Sequence, residues 1–382
     1  MTELEYFLIL NAISGLGSIR TRQLLEYFSS AKKVLTASLQ ELAAPRVIPR
    51  NVAENIIRFD KEDFLKKEMA LLKKHGVKAI SCIDENYPGN LKEIPDAPSV
   101  LYFKGTLNKD SDLSVALVGS RRASLYGLSM AEKLAGQLAA LGITVVSGLA
   151  RGIDTAAHQG ALKAKGKTIA VLGNGLASVY PPENIKLFEE IAEKGAVLSE
   201  FPMTTPPSAF NFPRRNRIVS GLSLGVVVVE ASSKSGALIT SRCALEQGRE
   251  VFAVPGKIDN PTAFGVNNLI KQGAKLISSV EDIIEELAPR LKNLMQDEKK
   301  QDKSENRRGV NDQGAEKDMS LTPRNLNQEE ARVFAHLNDE AIHVDEVTSQ
   351  SGLSVSQAMS VLLKLELKHL VRQLPGKMFV RT

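Results

Sequence analysis

Cysteine is scarce. Cys82 and Cys243 are the only two in 382 residues, too few for a disulfide framework and too far from any His/Cys cluster to suggest zinc. A reduced, cytosolic compartment and no metal are expected. No apolar run approaches the ~18 residues of a transmembrane helix, so no membrane insertion is expected. The opening Met-Thr-Glu-Leu-Glu lacks the basic start of a secretory signal, and the apolar run behind it, Tyr6 to Leu10, is short. No repeat of solenoid period is present. A strong charge of one sign is missing too: 49 Lys+Arg oppose 44 Asp+Glu, for a net +5. Residues 1–109 carry 16 basic against 13 acidic, 110–290 carry 19 against 17, 291–325 carry 8 against 7, and 326–382 carry 6 against 7. No segment is a basic block, so any affinity for nucleic acid must come from local placement of charge.

The common nucleotide signatures are absent as well. Gly160…Gly166-Lys167-Thr168 has one residue too many for a P-loop and precedes a strand, whereas a P-loop follows one. Gly173-Asn174-Gly175 lacks a third glycine and runs into Tyr180-Pro181-Pro182, not into a helix. Neither supports ATP or NAD, and no cofactor is expected. Asp154 and His158 lie at i, i+4, so one helix face presents both, and a hydrolase would recruit Ser147 or Ser120 as nucleophile. No G-x-S-x-G elbow accompanies them, and bracing beside a binding site is the better reading.

What is present is an alternation. β-branched apolar runs at Leu113–Val118, Ile143–Val146, Thr168–Leu172, Ala196–Leu198, Gly225–Val229, Glu250–Val254 and Lys275–Ile277 are mostly separated by helix-like stretches. Runs such as Val226–Val229 do not alternate with polar residues, so both strand faces are buried, as in a parallel sheet covered by helices. This predicts an α/β, Rossmann-like, doubly wound domain over 110–290, with ligands bound beyond the strand carboxyl ends. Residues 1–109 are expected to be mostly helical, and Gly15-Leu16-Gly17 has the look of either a helix-hairpin-helix turn suited to a phosphate or a plain tight turn. Residues 291–325, with almost nothing apolar, predict a mobile linker. Residues 326–382 predict a winged helix: a first helix capped by Asn327, a second over Val344–Gln350, a turn at Gly352, a third from Ser354, and a hairpin around Pro375-Gly376-Lys377. Such domains often read DNA, but the slight acidic excess here makes protein contact at least as good a reading.

Four loops carry the candidate chemistry. The first strand ends in Gly119-Ser120-Arg121-Arg122, where glycine lets a phosphate approach, Ser120 donates, and Arg121 adds a charged fork. The second strand leads to Ser147-Gly148-Leu149-Ala150-Arg151. Asn211-Phe212-Pro213-Arg214-Arg215-Asn216-Arg217 gathers three arginines and an aromatic at one helix start; arginines neutralise phosphates and an exposed ring stacks on a base. After the most buried strand, Lys234, Ser235 and Gly236 offer further donors. Together they predict an anion trough without an evident general base.

In order and spacing, these segments resemble the DprA/Smf family of DNA-processing proteins. The likeness runs through Ala116–Gly127, Val146–His158, Tyr180–Asn184, Asn211–Gly221, Ser235–Thr240 and Glu246–Gly256. It implies an extended Rossmann fold, flanked by an N-terminal helical domain of helix-hairpin-helix or SAM-like type and a C-terminal winged helix. It also implies binding and protection of single-stranded DNA, loading of RecA recombinase during natural transformation, and a homodimer; the missing nucleotide loops and nucleophile predict no enzymatic activity. On the family's phosphate motif Gly119, Ser120 and Arg121 match directly; Phe212, Arg214, Arg215 and Arg217 match its second basic segment. Ala177 stands where an Asp is common and Val266 where a Thr is common, so any polar family contact at those points is lost. The rival function is a phosphoribohydrolase-like enzyme on a related fold, but the Pro-Gly-Gly-x-Gly-Thr loop it needs is absent: Pro255-Gly256-Lys257 is the nearest. A ligand-sensing transcription regulator fits poorly with the neutral-to-acidic winged helix.

Overall fold

A computed structural model describes residues 1–107, 112–288, 290, 326, 328–338, 340–353, 355–367, 370–374 and 376–381. The predicted linker at 291–325, the Asn327 cap, Ser354 and Pro375 lie outside the described residues. The chain divides into two compact units, Met1–Ile283 and Ile284–Thr382.

In the first unit, six helices come before any strand: α1 (Glu3–Ala12), α2 (Ser18–Phe28), α3 (Ala31–Thr36), α4 (Leu39–Ala43), α5 (Arg50–Arg58) and α6 (Lys61–His75). Their ends follow from local chemistry. Thr2 and Glu5 form a capping box on α1, Ser38 and Glu41 form another on α4, and Gly76, at φ 62°, ends α6 in the left-handed conformation. Gly15, at φ 82°, makes the turn between α1 and α2, with Arg20 Nη1 donating 2.8 Å to its carbonyl.

The seven parallel strands form where the sequence predicts them: β3 (Ser114–Gly119), β4 (Thr144–Ser147), β5 (Thr168–Val171), β6 (Ala196–Ser199), β7 (Gly225–Glu230), β8 (Glu250–Ala253) and β9 (Lys275–Leu276). Two further strands, β1 (Lys78–Ser81) and β2 (Val100–Gly105), come from the segment expected to be helical. They extend the sheet antiparallel, β2 pairing with β6 and β1 with β2, in the order β1-β2-β6-β5-β4-β3-β7-β8-β9. Val100 and Tyr102 face one layer, where the N-terminal helices and the sheet share a single core; Leu101 and Phe103 face the other. The helices that cover the sheet and bear on the site are α8 (Leu125–Ala140), α9 (Ile153–Lys163), α11 (Asn211–Leu222) and α12 (Ala237–Glu246), with α7 (Gly89–Lys92), α10 (Ile185–Lys194) and α13 (Phe264–Lys271) completing the layers. Strand order reverses between β3 and β7, which sets the crevice where such folds bind ligands.

The second unit is a winged helix. Helices Gln328–Ala335, Val344–Ser351 and Val355–Leu367 pack Val333, Val347, Leu362 and Leu365 against the wing residues Val371 and Phe379. Gly352, at φ 68°, makes the helix-turn-helix corner. The wing strands β11 (Val371–Leu374) and β12 (Met378–Arg381) gain a third partner, β10 (Ile342–His343), which is too short to be seen in the sequence.

Candidate nucleic-acid interface

A cleft of ≈ 850 Å³ opens beyond the carboxyl ends of β3 and β7. The β3 end is clamped from below. A β-carbon on Gly119 would stand 2.5 Å from Ile153 Cγ1 and 2.9 Å from the Glu230 carbonyl, so only glycine fits. Ser120 N donates 2.7 Å to the Glu230 carbonyl, and Ile153 N donates 3.2 Å to the Ser120 carbonyl. Gly152, at φ 77°, comes so near that a side chain there would meet the Ser120 carbonyl at 2.3 Å. The Ser120 hydroxyl accepts from Arg122 N at 3.1 Å, which tightens the turn. Arg121 is left exposed at its tip, with no carboxylate in ion-pair range among the described residues. Its guanidinium lies 5.0 Å from the Phe212 ring centroid.

Glu230, buried at the end of β7, would repel an anion if its charge faced the cleft. It is instead spent on α8: its carboxylate accepts from Ser124 Oγ at 2.6 Å and from Ser124 N at 3.1 Å. Ser124 Oγ in turn accepts from Gly127 N at 3.1 Å and caps the helix.

The third loop departs from the expected arrangement. Arg121, Arg214, Arg215 and Arg217 do not meet on one rim. Helix α11 begins at Asn211, so residues 212–217 are spread around a helix and point to different faces. Phe212 and Asn216, four apart, face the cleft. Arg215 lies in the cleft wall but is 4% exposed; its Nη1 donates 2.9 Å to the Val171 carbonyl. Gly148 makes room for it, since a β-carbon there would fall 1.4 Å from Nη1. Arg217 is not at the cleft: it bridges Glu200 at 2.5 Å and Asp96 at 3.2 Å. Arg214 lies over the Phe201 ring at 5.0 Å and 4.0 Å from Glu200, with its side chain 56% exposed. Burial pushes the Glu200 carboxyl up, and Arg217 and then Arg214 pull it back. Arg215, in the cleft wall, and Arg217, away from the cleft, are thus both held by internal partners, where phosphate contacts were expected of them.

The remaining candidates fall into place around the cleft. Gly119, Ser120, Arg121, Phe212, Ser235 and Gly236 line it. Asn216 Nδ2 donates 3.3 Å to the Gly236 carbonyl and joins α11 to the β7–α12 loop. Lys234 is exposed on that loop, outside the lining, with no ion pair among the described residues. Phe212 is only half-buried; Gly173 allows its ring to seat, as a β-carbon there would be 2.8 Å from Cδ1. Of the two departures from the family pattern, Val266 is core at 1% exposure, and Ala177 packs partly buried against the N-terminal core.

Of the groups a hydrolase would recruit, Ser120 lines the cleft, whereas Ser147, Asp154 and His158 are engaged in structure. Ser147 Oγ donates 2.6 Å to the Leu117 carbonyl. Asp154 accepts from Gly148 N at 3.1 Å and Ala150 N at 3.3 Å, pinning a loop in which Leu149 holds a left-handed φ of 55°. Burial raises the Asp154 carboxyl and the Arg215 charge opposes this. His158 is fully buried; Thr168 Oγ1 donates 2.7 Å to the Val145 carbonyl, so it accepts from His158 Nδ1, also at 2.7 Å. Burial first, then Arg215, pushes the imidazole down to about 3, and it is neutral near pH 7.

Sequence reasoning missed Tyr180, which also lines the cleft and packs against Phe212 at 5.8 Å between centroids. Its signals were its place before two prolines and within the family-like segment Tyr180–Asn184. Glu230 was missed too, though a carboxylate ending a run of four valines is a legible oddity.

Fold and site together define a Rossmann-like α/β protein whose switch-point crevice presents an exposed arginine, without an ion pair among the described residues, on an aromatic ring. Comparison with known proteins places it further. The family model for DNA recombination-mediator protein A matches residues 78–288, and that for the DprA winged helix domain matches 317–377. Protein Smf of Escherichia coli is 38% identical over 377 residues, 98% of this chain and 95% of that one. DNA processing protein DprA of Streptococcus pneumoniae is 40% identical over 274 residues, 72% of this chain and 94% of that one. A solved structure of DprA from S. pneumoniae superposes with TM-score 0.65 at 39% identity, covering 75% of this chain and 98% of that one. A structure concerned with the single-stranded DNA binding mode of DprA from Helicobacter pylori gives TM-score 0.51 at 32% identity, covering 56% and 96%. The chain belongs to the DprA/Smf family of DNA recombination mediators. Among the described residues no helix is long and apolar enough to cross a membrane.

Proposed function

We propose that the protein holds single-stranded DNA in the β3/β7 cleft, shields it, and passes it to RecA recombinase, acting as a cytoplasmic homodimer without covalent chemistry of its own. The observation that carries this reading is the Arg121–Phe212 pair. A cation with no ion pair among the described residues sits on an aromatic face, beside the clamped turn of β3 and the Ser235-Gly236 loop. A phosphodiester chain needs such a cation, and a nucleobase needs such a face. Stacking of successive base pairs in a duplex hides the base faces, so the same cleft favours single strands. The H. pylori relative, described as binding single-stranded DNA, lends support. The non-enzymatic part of the reading rests on how Ser147, Asp154 and His158 are engaged. Fluorescence anisotropy with one oligonucleotide, single-stranded and annealed to its complement, tests it. Tighter binding of the single strand is expected; equal or tighter binding of the duplex overturns the reading.

A further inference from the structure

We propose that Tyr180 is a second nucleobase-contacting residue, so that the cleft takes two neighbouring bases, one at Phe212 and one at Tyr180. The inference rests on the cleft being the single-strand site and extends it to a residue outside the two basic segments. Tyr180 is half-buried, lines the cleft, and leans on Phe212 with 37° between ring planes. Its phenol makes no hydrogen bond among the described residues, so no protein group covers the ring through its hydroxyl. The loop behind it is rigid. Asn184 Nδ2 donates 2.9 Å to the Leu149 carbonyl and 2.9 Å to Thr155 Oγ1, and Glu183 pairs with Arg151. The ring is therefore held in position before a ligand arrives, which limits the entropy lost on binding. Phe212 cannot serve two bases alone, because the Arg121 guanidinium and Tyr180 both lie against it. Tyr180 and Phe212 do not stack in parallel; the tilt opens their faces in different directions, as a curved strand with splayed bases requires.

The test is a coupling measurement in the full chain. Thymidylate hexamers, intact or carrying one abasic site at each position in turn, are titrated by anisotropy against wild type, Tyr180→Ala, Tyr180→Phe and Arg121→Ala. Tyr180→Ala is expected to weaken binding of the intact hexamer by roughly 5- to 150-fold, the range for loss of one stacked base. Tyr180→Phe retains most of the affinity. At one abasic position the Tyr180→Ala penalty vanishes, because the base it contacts is already gone. A variant that merely loosens the fold weakens every hexamer alike, and that result overturns the proposal. So does wild-type affinity in Tyr180→Ala while Arg121→Ala is impaired. Failure of the cleft itself is distinguishable, since Arg121→Ala then binds like wild type.

Discussion

The salt dependence of binding separates a phosphate-contacting arginine from a bracing one. For single strands log K falls against log salt by about 0.7 for each phosphate neutralised. Arg121 is exposed and has no acidic partner among the described residues, so Arg121→Ala should flatten the slope by about 0.7. Between about 50 and about 200 mM salt, its affinity gap from wild type then narrows by ~2.6-fold, whatever the base sequence. Arg217 gives the contrast. It holds Glu200 at 2.5 Å and Asp96 at 3.2 Å, with its own side chain 11% exposed and that of Glu200 5%. Arg217→Ala leaves a buried carboxylate facing only Arg214 at 4.0 Å, which costs on the order of 3–5 kcal/mol of stability and no slope. Both variants and wild type are titrated with an oligo-thymidylate by anisotropy at several salt concentrations, with melting curves alongside. A folded Arg217→Ala whose slope flattens as much as that of Arg121→Ala would show that Arg217 leaves Glu200 for a phosphate, and the assignment of braces would be wrong.

Two further outcomes follow from the same geometry. His158 has its folded pKa lowered to about 3, so below the unfolded value of ~6.5 the unfolded chain binds the extra proton and stability falls as pH drops. Between pH ~7 and pH ~5 this contributes a loss of about 2 kcal/mol, measurable by urea unfolding, and His158→Gln should lose less over that window than wild type. A chain ending at residue 290 should keep wild-type affinity for single-stranded DNA, because all cleft residues lie before it; binding lost with residues 326–382 would move the site to the winged helix.

The parallel sheet was legible because each strand is a short, continuous, β-branched run with both faces buried, a pattern that tolerates few readings. β1 and β2 were not. They sit behind helical sequence and ahead of a loop, and β6, the strand that joins β2 to the sheet, lies far along the chain. At the site, residue types were legible while directions were not. Asn211–Arg217 looks like one basic cluster when written as a line, and becomes three faces once wound into a helix. Burial then decides: Arg215 turns inward because Gly148, distant in sequence, leaves it a place. No local pattern encodes such a pairing.

The antiparallel seam between β2 and β6 also has a consequence for synthesis. Val100, Leu101, Tyr102 and Phe103 are each at most 8% exposed once the sheet is complete, yet their inner neighbour ends at Ser199. The roughly 95 intervening residues take ~5–20 s to leave the ribosome. For that interval the nascent chain carries an apolar strand paired on one edge only, with β1, and the N-terminal helices share a core whose other half has not been made. The segment up to Gly105 thus leaves the ribosome well before the strand that completes its sheet, and the seam closes only when the middle of the sheet arrives.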